Sequence, residues 1–244
     1  MNRYYYDLHV HSCLSPCGDD DNTPNNLAGM ATLNNINIMA ICDHNTSKNC
    51  PAFFEAAARY GIIPIPGMEL TTAEDIHIVC LFPCLDECMA FDEEINSRRI
   101  LIKNKVDIFG RQIICDGDDN PIGEEEYLLP NATTVSLDEV PQIVDKYNGV
   151  CYPAHIDRPA NGIIETLGFM PPYPVFNCYE LYDLNKKAEY EEKYSLKDKL
   201  MVCSSDAHYL TSLREENSYF DLEDEPYSSD YVRRQLINKL KGGI

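Results

Sequence analysis

The chain has 244 residues, 44% of them hydrophobic and 25% charged, with 12 Gly and 15 Pro. This balance excludes collagen-like, low-complexity and wholly disordered chains. Forty Asp and Glu against 20 Lys and Arg leave a formal charge of −20. A field of that sign repels polyanions at long range, which sets duplex nucleic acid aside and leaves small anionic substrates drawn in by local cations.

The opening Met1-Asn2-Arg3-Tyr4-Tyr5-Tyr6-Asp7 lacks the apolar run of an export signal. No stretch nears the ~18 apolar residues of a spanning helix. A cytoplasmic protein without membrane contact is expected, its oligomeric state open. The 11 cysteines then read as free thiols, mostly small buried hydrophobes as in Ile41-Cys42, Val79-Cys80 and Val202-Cys203. Cys80, Cys84 and Cys88 recur every fourth residue, but Pro83 interrupts the helix that would align them. With no paired CxxC block, they do not read as a structural zinc site.

In chain order, a strand over Arg3–His9 precedes a helix from Pro24 to Asn34, with Thr23 as N-cap and Pro in the first turn. A strand over Ile36–Cys42 leads to a helix from Pro51 to Tyr60, rich in Ala and stopped by Gly61. Strands follow at Ile62–Met68 and Ile76–Phe82, then an amphipathic helix from Leu85 to Val106. Asp107 to Asn131 breaks the alternation. It reads as an inserted hairpin, Ile108–Cys115 and Glu124–Leu129, around the turn-rich Asp116-Gly117-Asp118-Asp119-Asn120-Pro121. A helix from Leu137 to Tyr147 and strands at Gly149–Ala154, Val175–Leu181 and Leu200–Ser205 complete the pattern. Residues 208–230 read as an acidic loop before a last helix, Asp230 to Leu240. Alternating strands and helices predict parallel β/α units in one domain spanning 1–244.

Five of the six histidines sit at or just after a strand's C-terminal end: His9 and His11, His44, His155 and His208. His77 instead begins a strand, and Glu69 ends another after Gly67-Met68. In a parallel β/α barrel the strand ends meet on one rim, where the working residues stand. The strand period of two puts His9 and His11 on one face, suited to chelation, and Asp206-Ala207-His208 repeats that spacing. Each signal alone has a plain structural explanation. A carboxylate such as Glu69 at a buried strand end, however, needs a cation or firm hydrogen bonds. Six histidines with two or three carboxylates exceed the roughly three protein ligands of one catalytic zinc. That surplus points to two or three clustered divalent ions, an arrangement suited to phosphoryl chemistry. A one- or two-metal amidohydrolase would also need a bridging acid or carboxylated lysine, and Lys48, in a loop, is poorly placed.

His9-Val10-His11-Ser12, Asp43-His44-Asn45, Gly67-Met68-Glu69, His77, Pro153-Ala154-His155 and Ser205-Asp206-Ala207-His208 follow the order and rough spacing of the PHP (polymerase and histidinol phosphatase) family. The resemblance runs from residue 6 to about 210. It implies a distorted seven-stranded (β/α)7 barrel holding up to three Zn, Mn or Fe ions and hydrolysing phosphoesters. Carried across, His9, His11, Glu69 and Asp206 hold a first ion. Glu69 bridges to a second ion held with His77 and His155, and His44 and His208 hold a third. Many relatives complete the third position with a loop histidine. This chain has Ser15-Pro16-Cys17-Gly18-Asp19-Asp20-Asp21 there, so Cys17 is the first choice of ligand and Asp20 or Asp19 the second, and a thiolate would favour zinc over manganese.

The expected chemistry is attack by a metal-bridging hydroxide on the phosphorus of a small substrate: a nucleotide, a nucleoside bisphosphate or a phosphorylated metabolite. Glu69, Asp206 and His208 form the catalytic centre. Arg158 grips phosphate through two hydrogen bonds, weighed against a loop salt bridge with Asp157. Asp43 and Glu180 orient histidine ligands from behind. A nuclease of single strands is the alternative, disfavoured by the lack of a basic patch. An inactive metal-binding regulatory domain is a third reading, disfavoured by the near-complete ligand set.

Overall fold

The computed structural model describes residues 1–243. Its strands are β1 (Asn2–Val10), β2 (Ile38–Ile41), β3 (Ile63–Thr71), β4 (His77–Leu81), β5 (Ile113–Cys115), β6 (Pro121–Glu124), β7 (Val150–Pro153), β8 (Cys178–Glu180), β9 (Leu200–Val202) and β10 (Tyr219–Leu222). The α-helices are α1 (Pro24–Leu33), α2 (Cys50–Tyr60), α3 (Leu85–Asn96), α4 (Val106–Phe109), α5 (Val140–Lys146), α6 (Ile163–Leu167), α7 (Lys187–Lys193) and α8 (Ser229–Leu240). No helix among the described residues is long and apolar enough to cross a membrane.

Six strands form one mixed sheet in the order β10-β1-β2-β3-β4-β7. Its centre reads as apolar runs because both faces are covered: every residue of β2, β3 and β4 is buried. On one face, Leu27, Ala28 and Ala31 of α1 and Phe53, Ala56 and Ala57 of α2 pack on Met39 and Ile41. On the other, Leu8, Ala40, Ile65, Val79 and Tyr152 meet Cys178 of β8, Val202 of β9 and Leu236 of α8 in a single cluster. One cluster gathers side chains from strands at opposite ends of the sheet because the sheet curls into a half-barrel. Gly67 serves this packing, since a Cβ there would lie 2.8 Å from both Cys42 Sγ and Leu81 Cδ2.

The α/β class is as expected, but the pattern of parallel units holds only in part. The β1, β2 and β3 strands are parallel. β3 and β4 form an antiparallel pair with no helix between them, and β7 is antiparallel to β4. The strands expected at Val175–Leu181 and Leu200–Ser205 shorten to β8 and β9, a separate parallel pair. An isolated parallel bridge between Val10 and Ala207 and an Ile156 N–H bond to Glu180 O link that pair to the main sheet at the rim.

The expected 208–230 loop contains β10, which pairs antiparallel with residues 2–5 of β1. Phe220 and Leu222 are buried and Tyr219 and Asp221 exposed, a period-two signal hidden by the surrounding acids. The helix expected over Leu85–Val106 stops at Asn96. Beyond it Arg99 and Lys103 bridge antiparallel to Thr133 and Tyr127, where the run Ile100-Leu101-Ile102 favours extended backbone over helix. The insertion is a hairpin, shifted from its expected bounds: Val106–Phe109 is a helical turn, and β5 pairs with β6. Helices α6 and α7 are short and fall in segments for which no element is expected from the sequence.

Candidate metal centre

The C-terminal ends of β1, β2, β3, β7 and β9 bring His9, His11, His44, Glu69, His155, Asp206 and His208 to one rim. His77 joins them although it begins its strand. Because β4 runs antiparallel to β3, its first residue pairs with Thr71 at the far end of β3. Two residues here hold left-handed backbone, His155 at φ 26° and Asp206 at φ 50°. Such strain on non-glycine residues collects at functional sites.

Glu69 is the hub, buried at 1% exposure. Its Oε1 lies 2.8 Å from His77 Nδ1, 3.1 Å from His155 Nε2 and 3.3 Å from His9 Nε2. Its Oε2 lies 3.0 Å from His44 Nδ1 and 3.4 Å from His11 Nε2. Asp206 Oδ1 faces His11 Nε2 at 3.2 Å and His9 Nε2 at 3.6 Å. Three groups of donors converge closely enough to share an ion: His9, His11 and Asp206; His44, Glu69 and His77; and His11, His44 and His208. His44 thus faces Glu69 as well as His208, a more shared position than the resemblance implies.

The electrostatics follow from this crowding. Burial would push the Glu69 carboxyl up, yet the imidazoles of His77, His9 and His44 hold it well below its usual range. Asp206 is likewise lowered against its burial by His9 and His11. Burial opposes protonation of His9, but Glu180, Glu69 and Asp206 raise it well above its usual value. His11 is raised to about 9 against the same penalty, by Asp206 and Glu69.

Partners behind the centre set which nitrogen faces inward. His9 Nδ1 donates to Glu180 Oε2 at 2.9 Å, and the same oxygen accepts the His155 N–H at 3.0 Å. Asp43 acts one step further back than expected. It accepts from Ser12 N, Ser12 Oγ and Ser15 Oγ at 2.6–2.8 Å and touches no histidine ring. Ser15, having given its proton to Asp43, accepts from His11 Nδ1 at 2.9 Å, which leaves His11 Nε2 as a lone pair toward the centre. His208 Nδ1 donates to its neighbour's carbonyl, Asp206 O, at 2.9 Å. Ser15 escaped the sequence reading; its only signal is the position four residues after His11. Ser15→Ala is expected to weaken metal binding 10- to 100-fold without unfolding the protein. Titration of the apo-protein followed by calorimetry checks this.

Cys17 stands at the mouth, exposed, with Sγ 3.2 Å from His44 Nε2. Desolvation works against its ionisation, but His44, His208 and His11 outweigh it and lower the thiol to about 5. Asp20 is a correction. Its carboxylate turns away to Arg111 at 3.6 Å and is half-exposed, because the loop tightens at Gly18 and presents Cys17 instead. Asp19 binds the backbone N–H of Asp21. Arg158 bonds Asp206 and lies over the Tyr182 ring, 4.0 Å from its centroid. It makes no pair with Asp157, which accepts from Tyr182 N and Asp183 N. Tyr182 is a second residue the sequence did not disclose. Lys48 pairs with Glu125 of the inserted segment.

These donors fit divalent ions. The buried His9 Nε2, His11 Nε2, His44 Nδ1, His77 Nδ1 and Asp206 Oδ1 have no hydrogen-bond partner, a cost borne only where a cation uses the lone pairs. His44, His77 and Asp206, with Glu69, His155 and His208, line a cavity of about 140 Å³ shared with Arg158, Ala160 and Asn161.

Fold and site together define a candidate metal centre: a curled α/β sheet with imidazoles and carboxylates gathered at its rim. Residues 7–108, less than half of the chain, match the PHP domain model. Among similar proteins, a 5′-3′ exoribonuclease of Haemophilus influenzae is 38% identical over 79 residues, 31% of this chain and 28% of that one. In fold, the lesion-specific endonuclease EndoQ of Pyrococcus furiosus matches with TM-score 0.69 at 15% identity, over 99% of this chain and 56% of that one. A candidate metal-dependent phosphoesterase of Bifidobacterium adolescentis matches with TM-score 0.60 at 17% identity, over 99% and 97%. The chain therefore spans little more than a quarter of the exoribonuclease and about half of the endonuclease.

Proposed function

We propose that this chain is a metal-dependent phosphoesterase that hydrolyses a phosphate group of a small molecule: a nucleotide, a nucleoside bisphosphate or a phosphorylated metabolite. The observation that carries the reading is the 140 Å³ cavity, with unpartnered donors below and a guanidinium at its rim. It is large enough for one phosphoryl group. The ions would be two or three of Zn, Mn or Fe, held by His9, His11, Glu69 and Asp206, by Glu69, His77 and His155, and by His44 and His208. Bound there, they would supply Lewis acidity toward phosphoryl oxygens and a more acidic water. The chain's own residues do the positioning. Glu69 keeps five imidazoles facing one point, Glu180 and Ser15 hold two of them in the right tautomer, and Arg158, backed by Tyr182, presents two N–H groups to a phosphate.

Arg158→Ala is expected to raise KM about 10- to 100-fold with a smaller fall in kcat, the pattern of lost substrate grip. Steady-state kinetics on any hydrolysed phosphoester reads it out; an unchanged KM removes Arg158 from the site.

A second reading has a specific support. The exoribonuclease likeness favours the 5′ end of a single-stranded nucleic acid as substrate. The charge of −20 favours the small molecule and sets duplex nucleic acid aside, because a long polyanion would need a cationic track. One assay decides: a panel of phosphorylated metabolites, nucleoside bisphosphates and 5′-phosphorylated oligoribonucleotides with Mn. Phosphate release from small molecules supports the first reading. Mononucleotide release with steep salt dependence replaces it with the second. The same reading takes β1 to β4 and β7 to β9 as the seven strands of one distorted (β/α)7 barrel, with β10 added at its edge, in a single domain over 1–244. The eleven unpaired cysteines support a cytoplasmic setting.

A further inference from the structure

The third group of donors has a sulfur atom at its edge. His11, His44 and His208 bring one ring nitrogen each within ion-sharing distance, and His11 Nε2 and His44 Nδ1 are buried without partners. Above them Cys17 Sγ sits 3.2 Å from His44 Nε2. The loop that carries Cys17 is clamped to both neighbouring histidines. The Asp19 N–H bonds His208 O at 2.9 Å, and the His44 N–H bonds Ser15 Oγ at 3.3 Å. The turn closes with Gly18 N on Ser15 O at 2.8 Å. A Cβ at Gly18 would lie 2.9 Å from Ser12 O, so the tight turn that presents Cys17 needs glycine there. The nearby Cys13 is engaged elsewhere, with Cys115 Sγ at 3.6 Å and Ile113 O at 3.7 Å.

We propose that Cys17 is a thiolate ligand of the ion held by His11, His44 and His208, which makes this position a sulfur-bearing site distinct from the imidazole and carboxylate positions beside it. This rests on the metal-dependent reading above but not on hydrolysis. Thiolate and imidazole ligands select zinc or cobalt, whereas a carboxylate-rich position also accepts manganese. The centre is therefore mixed. Its mouth position retains zinc under conditions in which the Glu69 positions exchange it for manganese.

The test uses the full chain stripped of metal and loaded with Co(II). The expected result is a near-ultraviolet sulfur-to-cobalt charge-transfer band that is lost in Cys17→Ser, together with at least tenfold weaker binding of one zinc equivalent. Cys17→Asp is expected to recover that equivalent without the band, and Cys84→Ala to keep both. Cys17 is exposed, so these variants should fold, and circular dichroism verifies that they do. Full cobalt occupancy with no band in the wild type, or a band that survives Cys17→Ser, overturns the proposal. A band in a protein that hydrolyses no phosphoester leaves the thiolate site standing and removes the phosphoesterase reading instead.

Discussion

Glu69→Gln is expected to cut kcat/KM by about 10³-fold or more, equivalent to about 4 kcal/mol of transition-state stabilisation. It should also lower bound metal by at least one equivalent. Gln keeps the shape of Glu, so the buried site still packs, but it removes the one charge that faces five imidazoles within 3.4 Å. A neutral amide cannot bridge two cations and presents an N–H₂ group where lone pairs are required. Metal analysis of the purified variant and steady-state kinetics in parallel report both effects. Cys84→Ala, a half-buried thiol bonded only to Glu87, should change neither. Wild-type rate and metal content in Glu69→Gln would end the bridging role.

Chelation is expected to destabilise the protein markedly. Each ion that binds only the folded state at ~100-fold above its Kd contributes about 3 kcal/mol. At this chain length that corresponds to roughly 6–12 °C in Tm for one site. The effect should be large here because without cations five imidazole nitrogens and a carboxylate oxygen of the ligand set are buried and unpaired. Thermal scans with a chelator, then with Zn or Mn restored, measure it. An unchanged Tm in protein shown to have lost more than one equivalent would mean that the network holds itself together without cations.

Both predictions turn on residues that a strand-end reading of the sequence could find. His9, His11, His44, Glu69, His155, Asp206 and His208 were legible because each follows a short apolar run, and a strand's end is marked by the loss of that run. His77 was legible as a residue but not as a position: it opens its strand, and only the antiparallel pairing of β3 with β4 carries it to the same rim. The loop after His11 was legible as a place where a ligand should stand, with two residue types in competition. The turn at Gly18 turned Asp20 toward Arg111 and left Cys17 facing His44. Ser15 and Tyr182 were not legible, because a hydroxyl four residues past a histidine and a ring under a guanidinium act through partners remote in sequence.

The amino-acid order by itself determined the chemistry available to this protein: which side chains can ligate, which segments are apolar enough to be strands, and how much negative charge a substrate must approach. Those are local properties of composition and period. Strand direction, the separation of β8 and β9 from the main sheet, the β10 partner of β1 and the inward-facing nitrogen of each imidazole were decided only by the tertiary structure. Each of these depends on which distant backbone or side-chain group completes a hydrogen bond, and short-range periodicity does not encode that choice.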